Sequence, residues 1–566
     1  MKIKKALSIL MALFMVVLTA SAFTACGGSG AQTTTAAQTT AAATTAAATT
    51  AAAAEATTAA ATTAAAAATT AAAATTAAAT TAAATAVATT AAPSEAGSLA
   101  SLDPVELIWF FPGNWPQADQ EMVFGEFNNM LKAHMNTTID LRAVSFGEYE
   151  QKMSLVIASG DDYDICFTSN WLNNYGLNVG RGAFLGLNDL LKEYAPNTFA
   201  SVPPAFWEAT MVGGNIYAVI CEQISARISA VSIPEADILE FGYDYEKDYI
   251  PGDIRSLEPL LEAIYEKYPQ RYFGMALDVA QEYLGMEYLN GVLTPGGIDC
   301  FTGNTTVFNQ FKSEAFLQWV NDMRYFCDKG YMDATRRITM PEDPGTDRRN
   351  GLGSIGVGGA YKPGGAEFDS MLSGFTLIQF PSNKPILTTG GIIATMQALN
   401  RVSRNPERAL MVLELLNYNT TGEPFNKFYN TLIFGIEGTH WTTDGTFRAI
   451  TDAGAERYNA NTEWMFASNY QAIPLEGQPA DVWEQTKKVN NDALVSPLCG
   501  FLFDSEPVKG EAGACAAVIQ EYVRPLSLGL VTEAEYDEFL TRLDAAGADV
   551  IIAEMQRQVD AWLAGR

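Results

Sequence analysis

Histidine is nearly absent: His134 and His440 are the only two in 566 residues, and they lie far apart in the chain. That excludes a histidine-rich metal site and leaves a Ser-His or Cys-His catalytic pair few ways to form. Basic residues are also scarce, with 35 Lys and Arg against 64 Asp and Glu, a formal net charge of −29. Phosphate backbones and anionic lipid faces call for clustered Lys and Arg, so nucleic-acid binding is not expected. An anionic ligand would need a locally basic site. The seven cysteines, Cys26, Cys166, Cys221, Cys300, Cys327, Cys499 and Cys515, include no CxxC pair. Their spacings fit neither zinc nor a compact disulfide framework, and those after Cys26 read as small core residues. P-loop, HExxH, EF-hand and G-x-S-x-G motifs are all missing, so neither a metal nor a cofactor is expected.

What is present begins with Lys2, Lys4 and Lys5, then an uncharged run from Ala6 to Ala25 that ends at Cys26. Residues 1–25 have the pattern of a secretory signal peptide; an uncleaved membrane helix is the alternative. Small residues before the cysteine, and Gly27, Gly28 and Ser29 after it, resemble the bacterial lipoprotein box, from which Phe23 departs. In that family the thiol is lipidated and the cysteine becomes the new N-terminus. The resemblance therefore implies a lipoprotein carrying acyl chains such as palmitate, anchored on the extracytoplasmic face of the cell membrane. Residues 26–98 are a low-complexity tether: from Gln32 to Ala92 units such as "TTAAA" repeat without an aromatic, and Glu55 is the only charge. Such a segment has nothing with which to build a core. As a disordered chain of some 70 residues it has an end-to-end distance of about 45 Å. Transient helix and O-glycosylation of its threonines both stay open.

From Val105 the texture changes, and all nine Trp lie beyond the tether. "VELIWFF" reads as a buried strand. "QADQEMVFGEFNNMLKAHM" places Val123, Phe127, Met130, Leu131 and His134 on one helical face, so His134 reads as a packing residue. "TTIDLRAV" is a strand, "GEYEQKMSLVIASG" a helix and "DYDICFTS" a strand. The order βαβαβ predicts a parallel sheet flanked by helices. "PERALMVLELLNY", "AEYDEFLTRLDAAG" and "ADVIIAEMQRQVDAWL" are further helices, the last with Ile552, Met555, Val559 and Trp562 at helical spacing. "GLGSIG" at 351–356 matches the dinucleotide fingerprint by letter. A polar loop precedes it and "VGGAYKPGG" follows, so it reads as a loop leading into a short strand. "SGDDYD" reads as a helix-to-strand turn rather than a catalytic carboxylate pair.

A recurring pattern remains. Trp or Tyr stands beside Asn, Ser or Gly in "FPGNWPQ", "FTSNWLNNYG", "GGAYKPGG" and "GIEGTHW". Sugars offer apolar C–H faces to aromatic rings and hydroxyls to planar polar groups, and parallel sheets bind ligands outside the carboxyl ends of their strands. Trp115, Trp171, Tyr361 and Trp441 are accordingly candidate stacking surfaces. Asn114, Ser169, Asn170, Glu222 and Glu437 are candidates for hydroxyl recognition, and Lys362 for an acidic sugar.

The phrases "VELIWFFPGNWPQADQEMVFGEFNNMLK", "FGEYEQKMSLVIASGDDYDICFTSNWLNNYGLNVGRGAFLGLNDLLKEYAP" and "NPERALMVLELLN…YNTLIFGIEGTHW" resemble extracellular solute-binding lipoproteins of bacterial carbohydrate-type ABC importers (family 1 class). "FLFDSEPVKGE" and "AAGADVIIAEMQRQVDAWL" look like the C-terminal region of unknown function found in one branch. The resemblance covers nearly everything after Leu99. It implies an α/β, periplasmic-binding-protein-like, type II-like fold of two lobes, each a mostly parallel sheet flanked by helices, with discontinuous lobes joined by hinges. The solute-binding domain would span 99–566, with an N-lobe of about 100–222 and 385–440 and a C-lobe of about 223–384 and 441–566. The implied function is non-catalytic: a monomer captures a sugar or oligosaccharide by hinge closure and delivers it to ABC permease subunits. A surface-anchored glycoside hydrolase or an adhesin is the alternative. The identity of the sugar is open, as is a peptide or uronate ligand.

Overall fold

The computed structural model of the protein describes residues 99–566, apart from 276–282, 292 and 334–349. The signal segment 1–25, Cys26 and the tether 26–98 lie outside the described residues. In chain order the described strands begin with β1 (Val105–Gly113), β2 (Thr137–Ser145), β3 (Ile165–Thr168) and β4 (Ala218–Ile220). Next come β5 (Ala226–Arg227), β6 (Ser229–Pro234), β7 (Tyr272–Met275), β8 (Met286–Tyr288), β9 (Gly296–Asp299) and β10 (Phe308–Asn309). The remainder are β11 (Gly353–Ala360), β12 (Leu377–Pro381), β13 (Ile386–Leu387), β14 (Met396–Leu399), β15 (Trp441–Thr443), β16 (Arg448–Ile450) and β17 (Leu494–Val495).

The first lobe is built on the sheet β2-β1-β3-β14-β4. β1 runs parallel to β2 and to β3, with the helices Gln120–Met135 and Phe146–Ser159 between them in sequence, as βαβαβ requires. β1 is apolar along its length because it is covered on both faces: Leu107, Trp109 and Phe111 are fully buried. The helix Gln120–Met135 turns its predicted stripe inward, burying Val123, Phe127 and Leu131, while His134 packs its ring 5.2 Å from that of Phe428. β14 returns from far along the chain and lies antiparallel to β3 and β4.

The second lobe holds the sheet β12-β6-β11-β7 and the smaller sheet β10-β9-β8. Its core includes Phe273, Phe311, Trp319 and Ile355, and is closed by the helices Glu314–Asp328, Lys509–Ser527, Glu533–Ala545 and Ala548–Ala564. "GLGSIG" lies on a turn and the start of β11. β6 is antiparallel to both of its neighbours, so the two large sheets are mixed where mostly parallel ones were expected. In each lobe the mixing comes from a strand that adjoins an interlobe crossing.

Among the described residues the chain crosses between the cores three times, and the crossings pair with each other as the sheet β17-β13-β5. Ile220 belongs to the first core and Val231 to the second, Ile386 to the second and Leu387 to the first. The last passage comes around 493–503. Tyr458, Met465, Phe466 and Ala472 are buried in the first core, so this packing departs from the expected lobe change at 440. Interlobe closeness at the hinge is backbone on backbone: a Cβ on Gly391 would stand 2.2 Å from the Ser225 carbonyl oxygen.

Candidate functional site

The carboxyl ends of β1, β2 and β3 open on one edge of the first sheet, and the chain puts aromatic residues there. Trp171, in the turn after β3, is 52% exposed. Its indole N–H donates to the Ala394 carbonyl at 2.8 Å, which fixes the ring at its edge and leaves a face open. Trp464 lies 6.0 Å away between ring centres, and Phe146, the first residue after β2, stacks on Trp464 at 6.2 Å with planes 12° apart. Trp464 is held by its own N–H to the Asn461 carbonyl. Trp115 sits on the turn after β1, packed against Phe111, Phe124 and Tyr458. Gly113 makes room for it, since a Cβ there would meet the Trp115 ring at 2.2 Å.

A cavity of about 260 Å³ lies between the two cores. The first lobe contributes Phe434, Arg448, Asn461, Glu463, Asn469 and Trp483. Across from them stand Gly358, Lys362, Phe368, Asp369 and Gln379, with Ile224 of the hinge at one side. Trp483 donates its N–H to Ala472, and the Asp369 carboxylate accepts a 2.6 Å bond from Gln379. Gln478 donates to the Gly364 carbonyl at 3.1 Å, a direct bond across the cleft. A volume below the range of about 300–1,000 Å³ usual for drug-sized ligands encloses only part of an extended molecule.

The hinge beside the cavity is held by Asn490, on the helix Val482–Asp492. Its amide oxygen accepts from the main-chain N–H groups of Ser225 and Ala226, and its nitrogen donates to the Gln223 carbonyl at 2.7 Å. Glu222 precedes this clamp and is 8% exposed. Burial pushes its carboxyl up to about 7, with Lys487 pulling the other way. Lys487 lies 4.8 Å over the ring of Tyr470.

The sequence-predicted residues divide. Trp171 and Asn170 are exposed at the strand ends, Lys362 lines the interlobe cavity, and Glu222 is beside it at the hinge. Tyr361 lines a second cavity, of about 360 Å³, with Pro381, Pro385 and Lys488. Ser169 is fully buried, and its hydroxyl is engaged with the main chain of Trp171 and Leu172. Trp441 is 1% exposed, bonded through its N–H to Gly435 and edge-on to Phe425, so its ring is not an available surface. Glu437 is exposed in the turn before it, and Asn114 is exposed beside Trp115. Sequence reasoning missed Phe146, Arg448, Trp464 and Trp483. The phrase "NTEWMFASNY" carries the same aromatic-beside-Asn signal as those chosen, and would have found Trp464.

Among the described residues no group of three or more His, Cys, Asp or Glu is placed to hold a metal, and no helix is long and apolar enough to cross a membrane. Asp164, in the tempting acidic cluster, accepts from Ile108 and Ser403 and is structural.

Two lobes joined by three crossings among the described residues, with a cavity between them, are also the fold of solved solute-binding proteins. The chain is similar to a solved N-glycan transport solute-binding protein of Streptococcus pneumoniae, with TM-score 0.71 and 23% identity over 82% of this chain and 99% of that one. The same protein in complex with Man5GlcNAc superposes with TM-score 0.62, at 24% identity and the same coverage. An alginate-binding protein, AlgQ2, matches at TM-score 0.52 and 17% identity over 82% of this chain and all of that one. In sequence, the chain is 25% identical over 463 residues to a carbohydrate ABC transporter substrate-binding protein of S. pneumoniae serotype 4 (strain ATCC BAA-334 / TIGR4). That match spans 77% of this chain and 87% of the relative. Residues 497–564 match a domain family described as a domain of unknown function (DUF3502).

Proposed function

We propose that this protein captures an oligosaccharide between its lobes and delivers it to the permease subunits of an ABC importer, without catalysing a reaction. The observation that carries this reading is the cavity shared by the two lobes beside a three-strand hinge, together with the aromatic cluster of Trp171, Trp464 and Phe146, in which Trp464 is bonded to the cavity-lining Asn461. The rings suit the apolar faces of sugars, and Asn461, Asn469 and Gln379 suit their hydroxyls. Relatives named for glycan binding support the choice of ligand class. Extension of the ligand over the patch fits a cavity too small for a whole oligosaccharide.

The sequence pattern at Lys2–Cys26 supports a signal peptide and a lipid anchor at Cys26, with the Ala/Thr segment as tether on the extracytoplasmic face. The protein acts as a monomer in this reading. A binding protein gains thermal stability with one class of oligosaccharide and releases no product on long incubation. Product release that is lost on replacing a single carboxylate would instead make it a hydrolase. Cys26→Ser is expected to free the protein from membranes; continued association would overturn the anchor.

A further inference from the structure

The chain is strongly acidic, so a buried cation without a partner needs an explanation. Arg448 begins β16, on the hairpin with β15, and its main chain is tied to Pro474 and Glu476. The residue is 9% exposed and lines the interlobe cavity. Its guanidinium carbon lies 3.6 Å over the Phe434 ring, and its buried Nε has no hydrogen-bond partner. Among the described residues the guanidinium joins no ion pair and donates no hydrogen bond. Glu463, on the same cavity, favours its charge, and burial still pulls Arg448 down to about 10. An unpaired buried charge is costly, whereas a fork of N–H donors facing a cavity is paired when a carboxylate enters.

Two further features stand on the opposite wall. Lys362 lines the cavity, and so does Gly365, the first residue of the helix Gly365–Ser373. No side chain caps that helix start, and although the Gly365 N–H is bonded to the Lys362 carbonyl and Glu367 stands in the first turn, the dipole adds some positive charge on that wall. Asp369, the acid on that wall, is already bonded to Gln379.

We infer that the interlobe cavity contains a subsite for the carboxylate of an acidic sugar residue, with Arg448 as the bidentate donor and Lys362 and the helix start opposite. This rests on the reading of the protein as an oligosaccharide binder. The rest of the oligosaccharide lies over the aromatic patch and is neutral or acidic alike.

The test is a glycan array carrying uronic- and sialic-acid-containing oligosaccharides beside matched neutral ones, probed with the wild type, Arg448→Met and Lys362→Gln. The expected result is wild-type binding to acidic glycans at least tenfold above their neutral partners. Arg448→Met should lose that preference, and the exposed Lys362→Gln should weaken it severalfold. Equal binding to neutral partners, or a preference unchanged in Arg448→Met, overturns the subsite and leaves sugar capture standing. Binding to no glycan overturns both. A second readout needs no ligand. If the guanidinium waits for an anion, Arg448→Met keeps the stem's packing, removes an unpaired charge, and melts at or above the wild-type temperature. A melting point several degrees lower would make Arg448 a structural support and overturn the assignment.

Discussion

Replacing Glu222 by Gln should stabilise the protein at neutral pH and do nothing in acid. The carboxyl is 8% exposed at the hinge, and burial pushes it from 4.5 up to about 7. Below pH 4.5 the acid is protonated in both folded and unfolded chains, so its burial as a neutral group costs nothing extra. Between 4.5 and 7 the unfolded chain ionises first and binds fewer protons, so folding stability falls as pH rises, by about 1.36 kcal/mol per pH unit. Above 7 both forms are ionised and the full penalty, about 3 kcal/mol, is in place. Gln has nearly the same shape and cannot ionise. The assay is urea unfolding of both proteins from pH 4.5 to 8, read as the difference between them. Glu287 is buried, also rises to about 7, and titrates in the same window. It is present in both proteins, so the difference isolates Glu222. The expected difference is near zero at pH 4.5 and grows to about 3 kcal/mol by pH 8 in favour of the variant. A difference that does not change with pH would refute the argument, because it would mean that the carboxyl is solvated at the hinge.

Four other outcomes follow from particular contacts. Asn490→Ala removes the acceptor of the Ser225 and Ala226 N–H groups and the donor to Gln223, at about 1 kcal/mol each, so unfolding free energy should fall by about 3 kcal/mol. Gly391→Ala pushes a methyl from the short helix Thr389–Ile392 into the Ser225 carbonyl, a main-chain atom that cannot swing aside as a side chain could. A loss of about 1–3 kcal/mol in thermal or urea unfolding is expected. Trp464→Ala and Trp171→Ala should each weaken oligosaccharide binding by about tenfold in calorimetry, since a well-placed aromatic contact contributes about 1 kcal/mol beyond its area. Trp441→Phe, at a ring wholly inside the protein, should leave affinity unchanged while lowering the melting temperature.

The elements were legible in the residues because periodicity is local. The apolar run of β1, the stripe Val123–Phe127–Leu131 and the order βαβαβ needed only neighbours within a few turns. So were the position of Trp171 after a strand and the reading of "GLGSIG" as a loop and strand, since a phosphate-binding turn needs a helix that the following glycines and proline cannot start. Even the return of a distant segment to the first lobe was carried by the family resemblance. The last lobe change, around 493–503 where 440 was expected, was not legible, because which core receives Met465 and Phe466 depends on side chains hundreds of residues away.

The same limit governs the site. "GIEGTHW" and "NTEWMFASNY" are equivalent as phrases, each an aromatic beside small polar residues. Tertiary packing buries Trp441 under Phe425 and Gly435, and leaves Trp464 between Phe146 and Trp171. Nothing in "TFRAI" singles out Arg448, yet a hairpin carries it over Phe434 into the cleft. Composition and local pattern determined what kinds of groups the protein has and the order in which its strands and helices form. Accessibility belongs to pairs of segments rather than to a residue, and only the closing of two cores around one hinge decided which rings and charges face a ligand.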